Sequence, residues 1–360
     1  MNISFNSFDY KNDLNQKIEL LKDCFPEAIS TEILSEEYYD WKFHKCPNLD
    51  RKSYEYGAYF NKKLIGYYAA IPYRYVINGV NMISGMVCDV MTHSSMRKKG
   101  IFTKLGAHSL GELQSEKVDF ATGYPIRPAT IPGHLKIGWR IAFNLPLYVK
   151  ILKLNSVLNN KKIGFLAPFL NFLLFLYNGF FEIKTGKNDR YTTESISVQD
   201  LLNMDEYDLF FDEWSHEQNN FLVKDRKFLR WRLSVPNVSY YITIVRYEKK
   251  IVALIITRKK EFDSIPFLGV VDIMILSSHY NCLPILFKEV KKTAKQLNAE
   301  MIGIMLSKIW SKKYNLIFNG FLKSPFIFKL IIKKMNEQID NESLMNEKMW
   351  NLTWIDSDDL

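Results

Sequence analysis

The stretch that decides the fold is VCDVMTHSSMRKKGIFT, residues Val87–Thr103. An apolar run, Val87–Met91, carries one carboxylate, Asp89, and gives way to a polar turn. The basic tetrapeptide Arg97-Lys98-Lys99-Gly100 follows, and Ile101–Glu116 then takes up helical periodicity. A strand that passes through a basic glycine turn into a helix leaves unpaired N–H groups at the helix start, and glycine lets a ligand approach that backbone closely. Such a turn suits a pyrophosphate, and the neighbouring cations add attraction.

Outward from this stretch the pattern is that of one compact α/β unit. Upstream, Leu14–Lys22 and Glu36–His44 read as short amphipathic helices. Tyr56–Phe60, Leu64–Tyr75 and Asn81–Met91 read as an antiparallel meander, turning at Asn61-Lys62-Lys63 and Asn78-Gly79. Downstream, Val118–Gly123 is a short apolar strand that ends in the proline-rich turn Tyr124–Pro132.

The chain also repeats itself. VCDVMTHSS (Val87–Ser95) matches VVDIMILSS (Val270–Ser278) when Asp89 is laid on Asp272, and Gly138-Trp139 then matches Gly320-Phe321. The separations agree, 49 residues from 89 to 138 and 48 from 272 to 320. Further upstream, Tyr39-Asp40-Trp41-Lys42 pairs with Leu229-Arg230-Trp231-Arg232, and each is followed by Pro-Asn (Pro47-Asn48 and Pro236-Asn237). A duplicated fold is expected, with Trp41 and Trp231 as core anchors. Its boundaries fall at residues 1–145 for the first half, 146–198 for an insert and 199–360 for the second half.

A chain of 360 residues has room for two domains, and 47% hydrophobic with 24% charged residues is a globular composition. Four scattered cysteines, Cys24, Cys46, Cys88 and Cys282, argue against a zinc site or a disulfide framework and fit a reducing cytoplasm. The first twenty residues lack the pattern of a signal peptide. A net charge of +9 favours anionic partners without choosing among them. Within the insert, Ile163–Phe181 (IGFLAPFLNFLLFLYNGFF) carries no charge. Pro168, Asn171 and Asn178 interrupt it and Lys161, Lys162, Lys184 and Lys187 flank it, which argues against a span. It reads first as a helix buried between the halves, with shallow membrane or partner contact as the alternative.

The order strand, Arg-x-x-Gly turn, helix, short strand, then Leu135-Lys136-Ile137-Gly138-Trp139 resembles the Gcn5-related N-acetyltransferase (GNAT) superfamily. The resemblance covers residues 30–145 closely and 225–335 as architecture. It implies an α/β fold of two tandem GNAT-like domains, with mixed, mostly antiparallel sheets flanked by helices. It also implies acetyl-CoA as co-substrate, with no metal and no covalent enzyme intermediate. Arg97, Lys98, Lys99, Gly100, Ile101, Phe102 and Thr103 would hold the pyrophosphate, and the backbone of Met91, Thr92 and His93 the pantetheine arm. Phe102 stands where the family has a small residue. In the second copy His279-Tyr280-Asn281-Cys282-Leu283-Pro284 replaces the basic turn, so only the first half is expected to bind coenzyme A.

Direct transfer to an amine needs a proton acceptor and benefits from an acid near the leaving thiolate. His134, four residues before Gly138, is a candidate acid, and Tyr124 is a second. Asp89 and His93 are candidate bases, although Asp272 repeats Asp89 in the half without the turn, which favours a structural carboxylate. The acidic tail Asp356-Ser357-Asp358-Asp359, after a strand-like Trp350–Ile355, offers a further carboxylate. The expected function is N-acyl transfer to a small amine, with no nucleic acid involved. The resemblance points to an amino sugar on a nucleotide or lipid carrier. The alternatives are an aminoacyl-tRNA-dependent transferase of the peptidoglycan-bridge type and a non-catalytic acyl-CoA-binding protein. The expected location is the cytoplasm, with membrane association through Ile163–Phe181 as an option.

Overall fold

The computed structural model describes residues 2–26, 33–47, 53–182, 190–262 and 264–358. Asn48, Lys184, Lys187 and Asp359, used in the sequence reading, lie outside them. The described strands are Ser4–Ser7 (β1), Tyr54–Phe60 (β2), Lys63–Ile77 (β3), Val80–Thr92 (β4), Phe120–Gly123 (β5), Arg140–Ile151 (β6) and Tyr191–Ile196 (β7). They continue with Asn220–Leu222 (β8), Tyr240–Tyr247 (β9), Lys250–Phe262 (β10), Ile265–Ile275 (β11), Met301–Met305 (β12), Leu322–Lys334 (β13) and Trp350–Asn351 (β14). Twelve of them form one continuous path, β1-β2-β3-β4-β5-β13-β6-β12-β11-β10-β9-β7, with β8 and β14 attached off it. The fold is mixed α/β.

Each half lays down the same ladder. In the first, β2, β3 and β4 are antiparallel neighbours and β5 returns parallel to β4 after the helix Ile101–Ser115. In the second, β9, β10 and β11 are antiparallel neighbours and β12 returns parallel to β11 after the helix Leu283–Gln296. The last strand of each half then crosses over. β6 pairs with β12 of the second half, and β13 pairs with β5 of the first. The expected seam at 145/146 therefore falls inside β6, a strand shared by both halves.

β3 shows why the strands read as nearly unbroken apolar runs. From Tyr67 to Ile71 its side chains alternate between two cores, Tyr67, Ala69 and Ile71 to one side and Tyr68 and Ala70 to the other. The helix Tyr10–Cys24 contributes Leu20 to the first core, and Ile101–Ser115 contributes Ile101, Leu105 and Leu113 to the second.

Trp41 and Trp231 meet where the halves join. Their rings stack at 5.3 Å and 11°. Each indole N–H donates to the other residue's carbonyl, at 2.8 Å from Trp41 and 2.7 Å from Trp231. Such reciprocity is what a two-fold relation produces.

Three sequence expectations change. The proline-rich turn after Gly123 contains the helix Ile131–Lys136, whose first turn accepts Pro132 because no N–H is needed there. Trp350–Ile355 is not a continuous strand: β14 stops at Asn351 and a tight turn covers Trp354–Asp356. The apolar insert forms the helix Ala167–Glu182, but it is not buried between the halves. Phe169, Phe172, Phe175 and Phe180 along it are exposed to solvent.

Candidate functional site

A cavity of about 1040 Å³ lies between the halves. β4 and β5 make its centre. Their parallel pairing ends at Val87↔Gly123, yet β4 continues to Thr92, so the two strands part and leave a notch. β4 is bulged at the same point. Tyr67 faces Met91 and Ala69 faces Cys88, which leaves an extra residue on β4, and Asp89 takes a positive φ of 49°.

The basic turn closes one end. Gly100 adopts φ 75° and stands immediately before the helix Ile101–Ser115, with no side chain capping the amides. Lys104 is the first helical residue to donate back, onto the Gly100 carbonyl at 3.1 Å. The amides of Ile101, Phe102 and Thr103 therefore have no intrahelical acceptor. Arg97, Lys98, Lys99 and Gly100 are exposed, so the turn is open to a ligand. Arg97 and Lys98 line the cavity with Gly100, Ile101, Phe102 and Thr103, whereas Lys99 points its ammonium to the Met96 sulfur.

Phe102 does not block this helix start. Its ring turns onto Gly133, where a Cβ would come within 2.4 Å of it, and stands edge-on to His134 at 5.0 Å. His134 lies in turn against Trp139, is buried, and its Nδ1 has no hydrogen-bond partner among the described residues. Burial alone lowers its pKa to about 4. The imidazole is thus neutral at physiological pH, and it packs against these rings at the cavity wall. His93 sits at the start of the turn that leads to Arg97. Its Nδ1 faces the Ser95 hydroxyl at 3.0 Å in the tight turn Ser94–Met96, and it does not line the cavity. Its backbone N–H is committed to Ile65, 2.9 Å away. Met91 and Thr92 do line the cavity, and Tyr124 does so just beyond β5.

Asp89 sits among cations that the sequence reading missed. Lys42 Nζ lies 2.9 Å and Lys17 Nζ 3.4 Å from its carboxylate. Lys42 also holds Asp358, at 2.8 Å, so the C-terminal tail reaches the cavity wall. Burial works against ionisation of Asp89, but the two ammonium groups outweigh it and lower its pKa to about 2. Lys42 is held well above the usual lysine range by the two carboxylates, in spite of its burial. Lys17, ringed by Tyr39, Phe43 and Tyr67, is pushed down by burial. Cys88, Asp89 and Asp358 come within 4.8 Å of one another, a grouping fit for a cation, and the Lys42 ammonium bonded to both carboxylates already supplies one.

The corresponding place in the second half is filled. β11–β12 pairing ends at Val270↔Ile304, and Asp272 beyond it is fully buried, bonded to Lys224 at 2.6 Å and to the Thr353 hydroxyl at 2.7 Å. Trp354 packs on Phe267 and Phe328. Arg232, the counterpart of Lys42, donates to the Ser357 carbonyl at 3.1 Å and so leads the tail towards Asp358. The signal for Lys42 was present in the repeated Trp-Lys and Trp-Arg pairs. Lys17 looked like one more polar residue on an amphipathic helix.

Residues 10–142 match the family described as the acetyltransferase (GNAT) domain. No curated protein matches the chain. Among solved structures, the chain resembles a GCN5-related N-acetyltransferase from Anabaena variabilis, with TM-score 0.64 at 12% identity over 93% of this chain and 73% of that one. It resembles a conserved protein of unknown function from Enterococcus faecalis, a probable N-acyltransferase, with TM-score 0.63 at 12% identity over 94% and 74%. It also resembles N-myristoyltransferase from Saccharomyces cerevisiae with bound myristoyl-CoA, with TM-score 0.62 at 12% identity over 92% and 79%. At these identities the likeness is one of fold.

Proposed function

We propose that the chain is an N-acyltransferase that moves an acyl group, acetyl in the first instance, from coenzyme A to a primary amine of a small acceptor. The observation that carries this is the open notch beside an uncapped, basic helix start in the first half, set against the filled notch in the second. Residues 1–145 would supply the coenzyme A site. Residues 199–360, through Arg232, Val235, Arg258 and Lys260, would shape the acceptor side, with 146–198 as an insert. An amino sugar on an anionic carrier would suit these cations.

In this reading the amides of Ile101, Phe102 and Thr103, with Arg97 and Lys98, hold the pyrophosphate. The backbone of Met91 and Thr92 aligns the pantetheine arm in the notch. Coenzyme A contributes the reactive thioester. Asp358 accepts the proton of the incoming ammonium. Asp89, bonded to both Lys42 and Lys17, fixes these two side chains. Tyr124, which lines the cavity just beyond β5, is the candidate to protonate the leaving thiolate.

Calorimetry with acetyl-CoA tests the first step, and thiol release over a panel of amino sugars and polyamines tests the second. Binding with amine-dependent thiol release supports the proposal; absence of binding refutes it. Binding without turnover on any amine supports the non-catalytic alternative. A longer acyl group is the second reading, favoured by the apolar wall of Leu14, Ile18, Leu21, Phe25 and Leu34. A series from acetyl- to myristoyl-CoA separates the two: affinity rising with chain length favours the longer group.

A further inference from the structure

The helix Ala167–Glu182 is amphipathic in the inverted sense. Its two asparagines face the protein. Asn171 accepts from the Leu154 amide at 2.9 Å and donates to Asn155 Oδ1 at 2.7 Å. Asn178 is buried and donates to the Ile151 carbonyl at 3.0 Å. The apolar side chains face water: Phe165 is 80% exposed, Phe169 62%, Phe172 58%, Phe175 70% and Phe180 59%. Steps of three and four residues between Phe169, Phe172, Leu176 and Phe180, all exposed, place these side chains on one broad face of the helix. The turn Ile317–Asn319 lies beside the helix end, where Phe181 borders Gly320, and adds exposed Ile317 and Phe318. A helix facing solvent carries its polar residues outward, so a continuous apolar face of this kind marks a surface covered by something other than water.

Charge identifies what covers it. From Ile141 to Phe181 the chain contains no Asp or Glu, and it contains Lys150, Lys153, Lys161 and Lys162. Lys153, Lys161 and Lys162 are exposed just before the helix. An apolar helix face bordered by lysines is what an anionic lipid surface attracts, the rings entering the acyl boundary and the ammonium groups meeting headgroups. Among the described residues Gly164–Phe181 is the one helical stretch long and apolar enough to cross a membrane. Asn171 and Asn178 pin it along the body, however, so it lies in the membrane plane. We infer that this face docks the protein on an anionic bilayer.

The test is sedimentation of the full chain with vesicles of phosphatidylcholine alone or mixed two to one with phosphatidylglycerol. The wild type should bind the mixed vesicles at least tenfold more tightly than the neutral ones. Phe169→Asp/Phe172→Asp should lose at least tenfold in that binding, and Lys161→Glu/Lys162→Glu should lose most of the preference for anionic lipid. An unchanged circular dichroism spectrum and thermal midpoint show that the variants still fold. No vesicle binding by the wild type, equal binding to both vesicle types, or undiminished binding by the Phe variant overturns the inference. So does a wild-type dimer that the Phe variant turns into a monomer, since a second copy would then be the cover.

Discussion

Replacing Asp89 by Asn separates a structural carboxylate from a catalytic one. Asp89 sits at φ 49°, a left-handed conformation that Asn tolerates as well as Asp, so the change removes charge while leaving the bulge in place. What it takes away is the shared counter-ion of Lys17 and Lys42. A pKa of about 2 in place of 3.8 corresponds to about 2.5 kcal/mol. Removing one partner of a buried pair typically costs about 3–5 kcal/mol, and because Lys42 keeps Asp358 we expect somewhat less, about 2–3 kcal/mol at pH 7. The folded-state pKa is depressed, so this stabilisation is present above the unfolded value near 4 and is lost as pH falls through about 2. Urea denaturation of wild type and Asp89→Asn across that range reads it directly: a gap at pH 7 that closes in acid. A variant as stable as wild type at pH 7 refutes the account. So does a gap that stays constant down to pH 2. A variant of full stability that has lost only turnover would restore Asp89 as the base.

Gly100→Ala places its Cβ no closer than 4.0 Å to any neighbour, so its cost is backbone strain at φ 75°, about 1–2 kcal/mol. Relaxing that strain shifts the amides, and affinity for acetyl-CoA should fall about tenfold by calorimetry; unchanged affinity would move the ligand away from this turn. Asp356 behaves in the opposite way to Asp89: burial raises its pKa to about 6, with the Tyr75 hydroxyl and the Thr353 amide donating to it. Its contribution is therefore fully present below about pH 4 and lost as pH rises through 6. Asp356→Asn should gain on wild type by up to about 3 kcal/mol between those limits, read by denaturation at pH 4 and pH 8, and a variant that gains nothing over that interval counts against a buried, reluctantly ionised carboxylate.

The strands and the basic turn were legible because their signals are local. Alternation in β3, glycine before Ile101 and the repeated Val-x-Asp segment each depend on a few neighbouring residues. Their spacing carried the duplication as far as Trp41 and Trp231. Strand exchange was not legible, since an isolated β6 gives no indication of whether it will pair with β5 or β12. The meeting of Lys17, Lys42, Asp89 and Asp358 joins four distant segments and leaves no local pattern. The burial of His134 was not legible, because position relative to Gly138 says nothing of solvent access. The buried rings of Trp139 and Tyr68 decide its protonation. The apolar insert misled for a related reason: composition gives the width of an apolar face but not the direction in which the rest of the fold turns it.

Strand exchange and the filled second notch have a common physical cause. Splaying two parallel strands exposes backbone groups that water must satisfy or a ligand must cover, and a fold with two such pairs, β4–β5 and β11–β12, has two such openings. Here the tail closes one of them: Thr353 satisfies Asp272, Trp354 fills the apolar wall, and Arg232 carries the chain on to Lys42. The segment that closes the second notch thus delivers Asp358 to the first. Because β13 borders β5 and β6 borders β12, cutting the chain between the halves would open a long sheet edge in each. The cleft is consequently a joint product of both halves. The second half provides one wall of that cavity and the carboxylate at its edge.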